Sequence, residues 1–595
     1  MRIPFRRVAT VAFALAVPLV IAVAATADAR APDARTIAAA VAWSRDIRDA
    51  GPLAATTPVH VAVLMAYRHE DELRRLVRLQ GERRSGAYHR YLTSAQWNAY
   101  FAIDPVAYRH TLATLERAGF RIDRELPNRG IIAAVAPART IERFFETRMH
   151  RVFDRNGVAR YANVTPARIP TELRGAIVAV AGLHSFPIAH VPARETRVAS
   201  TPGRLAAAVA AAPTSSPRPI STSTPGPNPN PEPTLAGTGK NIGTGPRGTA
   251  PYGTFTFANS FDFPIQHGYG GRGRSAGNVV GGDFLDSDLA GFFNQFGYAK
   301  TGAVTRVFVS APFTTDPHGA AAAEATLDVE AILGLAPGAN YYEYLIPVLS
   351  DDQILFAYER AVSDNLVDAL NSSFGGCETD DPAGSYEFDY VAMQGAAKGI
   401  TFAAASGDNG SQACGFTTAG QPGTSPYATI ETPANGYYFT AVGGTTFVAT
   451  PTGGYGTETG WSFGGGGVSQ INPEPDWQKN TSGASATGRN IPDLSFPGDP
   501  TLSSLATFQN GATAAGGGTS LASPLFVALQ IEIDEVQQAR NGWVNPRLYA
   551  ISAAEPNYAF RDVVAGTNTR YTAAPGYDNV TGIGTPLGWL LVGTE

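Results

Sequence analysis

NYYEYL (residues 340–345), QILFAYERAVSD (353–364), VDALNSS (367–373), YEFDYVAMQGAAK (386–398) and ITFAAAS (400–406) follow one another through short connections. Three are brief apolar runs of strand length, and the two between them place apolar residues at helical spacing. Alternation of this kind predicts parallel strands joined by crossover helices. A strand at 304–309 and a helix at 320–333 extend the pattern upstream. The expected fold class is α/β: a doubly wound, mostly parallel sheet covered on both faces. In such sheets the chemistry gathers at the carboxyl ends of the strands.

Before this region the pattern differs. Strand-like runs at 59–65, 130–136 and 176–182, with amphipathic segments at 106–118 and 138–147, describe a small α+β domain. Residues 213–233, PTSSPRPISTSTPGPNPNPEP, bury too little apolar surface to order themselves and read as an extended, protease-accessible linker. At the start, Arg2, Arg6 and Arg7 precede an apolar run and then Ala27-Asp28-Ala29, the order of a secretory signal peptide cleaved after Ala29. No later segment has the roughly 20 uninterrupted apolar residues of a membrane span. The expected division is 1–29 signal peptide, 30–57 N-terminal extension, 58–190 small domain, 191–247 linker and 248–595 main domain. A secreted protein follows, extracellular or periplasmic. The length of 595 residues also demands more than one core. A net charge of −6 with no Lys/Arg block excludes a nucleic-acid footprint. Two cysteines, Cys377 and Cys414, exclude a disulfide scaffold, while one bridge and two separate buried thiols both stay open.

Gly516-Gly517-Gly518-Thr519-Ser520-Leu521-Ala522-Ser523-Pro524, followed by an apolar run, reads as a glycine-rich turn entering a buried helix. A serine there sits beside free backbone N–H groups, as a helix cap or as a nucleophile. The nucleophile needs a base. Subtilisin-like enzymes share this turn but use a histidine; only His267-Gly268 and His318-Gly319 offer the local dipeptide, and neither continues as subtilisins do. No histidine follows His318, which also excludes the late histidine of an esterase. Instead Glu324 and Asp328, spaced i, i+4, share one face of the helix at 320–333. Like charges so placed resist ionising together, so one carboxylate can act as base while the other orients it. A third acid, Asp408 in SGDNG (406–410), follows a parallel strand and can donate to an oxyanion if its proton is held.

With these residues in place the chain resembles the sedolisins, the serine-carboxyl peptidases, in the kumamolisin-like branch. The matching stretches are EATLDVE (324–330), SGDNG (406–410), PANGYYFTAVGGTTF (433–447), GRNIPDLSF (488–496), GGTSLASPLFVAL (517–529) and VNPRLY (544–549), in the family's order. The resemblance implies a subtilisin-like fold with Ser520 as nucleophile, Glu324 as general base, Asp328 as its supporting acid and Asp408 as oxyanion-stabilising acid. It also implies acidic working conditions. AYHRYLT (87–93) with Trp97 and Phe101, and the Ile169-Pro170 step, resemble the family's activation domain, which makes 58–190 an inhibitory propeptide cut off within the linker by the enzyme itself. Peptide or protein substrates, a monomer and one calcium ion are implied too. The calcium ligands would be the Asp562 and Asp578 side chains with the Val563, Ala574 and Gly576 carbonyls, hard oxygen donors. The family's alternative activity is tripeptidyl-peptidase action, and its catalytically dead form would be a binding protein.

Two departures stand out. Kumamolisin-like enzymes extend the Glu/Asp pair with a glutamate on the first strand and a tryptophan after a serine. Here the first-strand region reads GNVVGGD (277–283), with Asp283 the nearest acid, and the serine position reads NSSFG (371–375). Ser373, Phe374 and Gly375 are expected to line the substrate cleft.

Overall fold

Strand β1, Pro58–Met65, reads PVHVAVLM, and its two faces go to two different cores. Val59, Val61, Val63 and Met65 pack with Tyr108 and Leu115 inside the N-terminal region, while Ala62 and Leu64 face Tyr358, Phe388 and Val391 of the main region. The period of two in a strand makes this double use possible. The computed structural model describes residues 36–38, 47–154, 157–188, short pieces between 228 and 243, 249–310, 313–316, 318–414, 425 and 427–593. The expected leader and most of the linker tract lie outside these residues.

With β2 (Arg121–Glu125), β3 (Ile131–Pro137) and β4 (Ile177–Ala181), β1 forms an antiparallel sheet in the order β2-β3-β1-β4. Helices α1 (Glu70–Gly81), α2 (Ser94–Tyr100) and α3 (Pro105–Ala118) accompany it, with a further short helix at Ala138–Phe144. Local chemistry sets their ends. Thr93 and Gln96 form a capping box on α2, and α3 starts on an Asp104 cap with Pro105 in its first turn and stops at Gly119, φ 102°.

The main region carries the expected sheet. Its strands are β5 (Ser275–Val280), β6 (Val304–Phe308), β7 (Asn340–Leu345), β8 (Ala369–Ser372), β9 (Thr401–Ala405), β10 (Phe439–Ala449), β11 (Tyr455–Gly460) and β12 (Leu494–Pro497). The order is β6-β7-β5-β8-β9-β10-β11, with β12 also on β10; all pairs are parallel except β10 with β11. The strand order reverses at β5, which opens a crevice beyond its carboxyl end. Helices α4 (Ala320–Leu335) and α7 (Thr519–Gln537) share one core with the sheet. On the opposite face, α5 (Asp351–Asp364) and α6 (Pro382–Ala397) share theirs with the N-terminal region. Every residue of α4 from Ala322 onward is buried, which explains a helix with so little polar surface.

Three of the quoted stretches meet in one buried knot. Arg489 reaches both oxygens of Asp493 at 2.8 and 2.6 Å, both side chains wholly buried. Asp493 also accepts from the Ala441 N–H and the Tyr549 hydroxyl. Cys377 and Cys414 form a disulfide. No helix among the described residues is long and apolar enough to cross a membrane.

Candidate active site

The turn entering α7 is built around glycine. Gly518 has φ 89°, and a Cβ there would collide with Asp408 Oδ2. The missing side chain lets Asp408, at the carboxyl end of β9, reach the helix start. Its Oδ1 accepts from the Thr519 N–H and the Thr519 hydroxyl, both at 2.8 Å. Thr519 Oγ1 in turn accepts from the Gly407 N–H at 3.1 Å. Ser520 follows, fully buried, its hydroxyl making no hydrogen bond. Burial pushes the Asp408 carboxyl up to about 7, against the lowering pull of the Thr519 contacts. Below neutrality it carries a proton.

From the other side come α4 and β8. Glu324 and Asp328, one turn apart on α4, are 2% and 0% exposed. Asp328 Oδ1 accepts from the Ser373 hydroxyl at 2.7 Å and Oδ2 from Asn278 Nδ2 at 3.0 Å. Ser373 Oγ is also 3.4 Å from the Ser520 carbonyl oxygen. Ser523, one turn into α7, donates to Asn371 Oδ1 at 2.7 Å, which ties the serine helix to β8. Burial raises Asp328 to about 7, opposed by Ser373, Asn278 and Asn371. The arrangement brings a hydroxyl, a carboxyl pair and a separate protonated carboxyl to one end of the parallel sheet.

Phe374 is buried, its ring 6.4 Å from that of Tyr358. A Cβ on Gly375 or Gly407 would meet the Glu431 carboxyl group. Neither Glu431 oxygen makes a hydrogen bond, and burial, then the charge of Asp408, hold this acid well above its ordinary range. Sequence reasoning passed over Glu431, although an acid just before the PANG stretch was the visible signal. It also passed over Asn278 and Asn371, ordinary amides until the strand register sets them side by side. Asp283 lies apart from the carboxyl pair: Arg306 Nε holds both its oxygens at 2.7 and 2.8 Å.

The proposed cation ligands near the carboxyl end come together in part. Asp562 Oδ2 accepts from the Gly576 N–H at 2.8 Å, while its Oδ1 is buried without a partner. Asp578 is engaged by the Ala574, Val580 and Thr581 N–H groups, and the Val563 carbonyl accepts from the Thr581 hydroxyl. The all-oxygen donor set and the orphaned Asp562 oxygen fit a hard cation. Elsewhere, His184, Asp351 and Asp381 place one donor atom each within 4.8 Å of one another, the only such group of three among the described residues. There His184 Nε2 lies 2.7 Å from Asp351 Oδ2 and 3.8 Å from Asp381 Oδ1.

The N-terminal region packs along the length of α6, from its carboxyl end beside the start of β9 to the segment that follows β7. Tyr67 stacks on Tyr390 of α6 with ring centroids 4.1 Å apart, and its N–H donates to the Tyr390 hydroxyl. Leu92 N–H and Gln80 Nε2 both donate to the Ala397 carbonyl. The Ile188 N–H donates to the Leu349 carbonyl at 2.7 Å, leading the chain along the segment that follows β7.

Comparison with known proteins finds relatives along most of the chain. Residues 45–186 match the family described as pro-kumamolisin, activation domain, and residues 315–542 match the subtilase family. Sedolisin of Pseudomonas sp. (strain 101) is 29% identical over 573 residues, 91% of this chain and 88% of its own length. Kumamolisin of Bacillus sp. (strain MN-32) is 29% identical over 568 residues, 91% and 92% of the two chains. The solved structure of Pseudomonas sedolisin, a serine-carboxyl proteinase complexed with two molecules of pseudo-iodotyrostatin, matches with a TM-score of 0.52 and 28% identity over 57% of this chain and 96% of that one.

Proposed function

The chain belongs to the sedolisin family of serine-type peptidases and carries the family's activation domain, and from that premise we propose that it is an exported acid endopeptidase made as a self-processing precursor. Ser520 attacks the peptide carbonyl while Glu324, supported by Asp328, takes the hydroxyl proton. Asp408 in its protonated form donates to the oxyanion of the tetrahedral intermediate. Glu324 then returns its proton to the leaving amine, and water repeats the cycle on the acyl-enzyme. Ser373, Phe374 and Gly375 border the bound peptide.

The observation that carries this reading is Asp408: a buried carboxyl, raised to about 7, clamped to the residue before Ser520. A donor that must keep its proton, with a carboxylate base, sets the working range below neutrality. The boundaries 58–190 for the propeptide, 191–247 for the linker and 248–595 for the enzyme fit the two-faced use of β1, since removing the former leaves the main sheet intact. Asp562 and Asp578 with the Val563, Ala574 and Gly576 carbonyls would hold one calcium ion, whose chemistry there is structural: it ties two loops together. The monomer remains the proposed state.

The test is acid incubation of the purified full chain beside Ser520→Ala and Glu324→Ala. The parent is expected to shorten within the linker and to cleave denatured protein at internal bonds, while both variants stay full length. Maturation of the variants at the parental rate would falsify the mechanism; release of tripeptides alone would replace endopeptidase with tripeptidyl action.

A further inference from the structure

Asn278, Glu343 and Asn371 occupy the same level of three adjacent strands. The register pairs Asn278 of β5 with Glu343 of β7 on one side and with Asn371 of β8 on the other. All three side chains are fully buried, at the point where the strand order reverses. Both N–H donors of the Asn278 amide are used. Its Nδ2 donates to Asp328 Oδ2 at 3.0 Å and to Glu343 Oε2 at 3.2 Å, and its Oδ1 accepts from Asn371 Nδ2 at 3.0 Å. Glu343 Oε2 also accepts from the Tyr341 hydroxyl at 2.6 Å.

An amide can present either its donor or its acceptor end, and the neighbours decide which. If Asn278 turned round, its carbonyl oxygen would face two carboxyl oxygens and its NH2 the Asn371 NH2. Asp328 alone would not fix the choice firmly; Glu343 supplies the second acceptor that locks the donor end toward α4. A hydrogen bond that reaches Asp328 favours its ionised form. The groups facing Glu343 are Asp328 on α4, Tyr341 on its own strand and, past the sheet end, Asp283 with its partner Arg306. Among these described neighbours no cation contacts the Glu343 carboxyl.

We propose that Glu343 is a positioning residue of the catalytic machinery, acting through Asn278 to hold a donor on Asp328 and so to set how tightly the Glu324/Asp328 pair binds its shared proton. This rests on the catalytic reading above. The glutamate in NYYEYL thus belongs to the proton network and not only to the core.

The experiment compares Glu343→Leu and Glu343→Gln in the full chain after acid maturation. Leucine removes the acceptor for both Asn278 and Tyr341; glutamine keeps it. Glu343→Leu is expected to lower kcat about tenfold or more with KM little changed, and to move the acid limb of the pH profile upward by about 0.5–1 pH unit, since losing a bond to the charged form raises the pair's proton affinity. Glu343→Gln is expected to restore both. In an Asn278→Ala background, Glu343→Leu should add almost nothing. A Leu variant with a lower Tm but parental kcat and acid limb overturns the proposal. Should that variant fail to fold, Asn278→Ala alone decides: it removes the amide through which Glu343 is to act on Asp328, and an acid limb left unmoved overturns the proposal equally. If the catalytic reading itself is wrong, Ser520→Ala retains activity, an outcome separate from any of these.

Discussion

At Gly518 a positive φ and a close carboxylate coincide, so two separate penalties attend any side chain there. Gly518→Ala is expected to displace Asp408 from the start of α7 and to lower kcat/KM by about 100-fold, the scale of losing one oxyanion donor; near-parental turnover would show that Asp408 does not depend on this approach. The raised pKa of Asp408 has its own signature. Burial holds the proton up to about 7, so the donor is present below that value and is lost as the pH rises through it. Asp408→Asn, whose amide donates at every pH, should retain part of the activity and flatten the alkaline limb of kcat/KM. An unchanged limb would assign it to another group.

Among the elements, the knot that joins β10, β12 and the 544–549 stretch depends on one ion pair. Arg489 and Asp493 are both wholly buried, and Asp493 gathers the Ala441 N–H, the Tyr549 hydroxyl and the guanidinium. Removing one partner leaves the other charge buried and alone. Arg489→Met is therefore expected to cost about 3–5 kcal/mol of stability, read as a drop in the denaturant midpoint of the Ser520→Ala chain; a change below about 1 kcal/mol would mean that the knot does not depend on this ion pair. The same elements show why α4 can host acids. Burial of the helix in apolar surroundings raises Asp328.

Across the whole molecule, His184 of the N-terminal region sits between Asp351 and Asp381 at the start of α5 and α6. Burial, the largest single effect, opposes the charged imidazole, but the charges and hydrogen bonds of Asp351 and Asp381 together more than offset it, and the His184 pKa is raised. That share of stability is complete below about 6.5 and is lost as the pH rises through the raised value. For Asp381 burial is outweighed by His184 and the Gly384 N–H, and its pKa is lowered. Its share is present above the usual 3.8 and is lost as the pH falls through the lowered value. Glu359, raised to about 7 by burial against Asn128 of the N-terminal region, works the other way: its share is complete below 4.5 and fades as the pH rises through about 7. The His184 and Glu359 shares are both complete in mild acid, so acid release must act against both, and of the three only the Asp381 share weakens on acidification. His184→Ala is expected to mature about threefold faster or more at mildly acidic pH, followed by the loss of full-length chain on a gel. An unaltered rate would remove this contact from the release step.

Much of this protein was readable along the chain. The strands at 304–308, 340–345, 369–372 and 401–405 and the helices between them fall within a few residues of their expected places, because apolar period and turn chemistry are local properties. Ser520, Glu324, Asp328 and Asp408, the proposed catalytic groups, could be singled out for a similar reason: each lies in a short stretch whose composition is unusual for its setting. The partners of these residues could not. Asn278, Asn371 and Glu343 become one group only through the register of three parallel strands, and Glu431 only because two glycines far apart in sequence leave it room. The Cys377–Cys414 bridge and the His184 contact likewise join distant segments. Local sequence thus determined the elements and the candidate reactive groups, while the pairing of strands and the burial it creates decided which partners surround each of them.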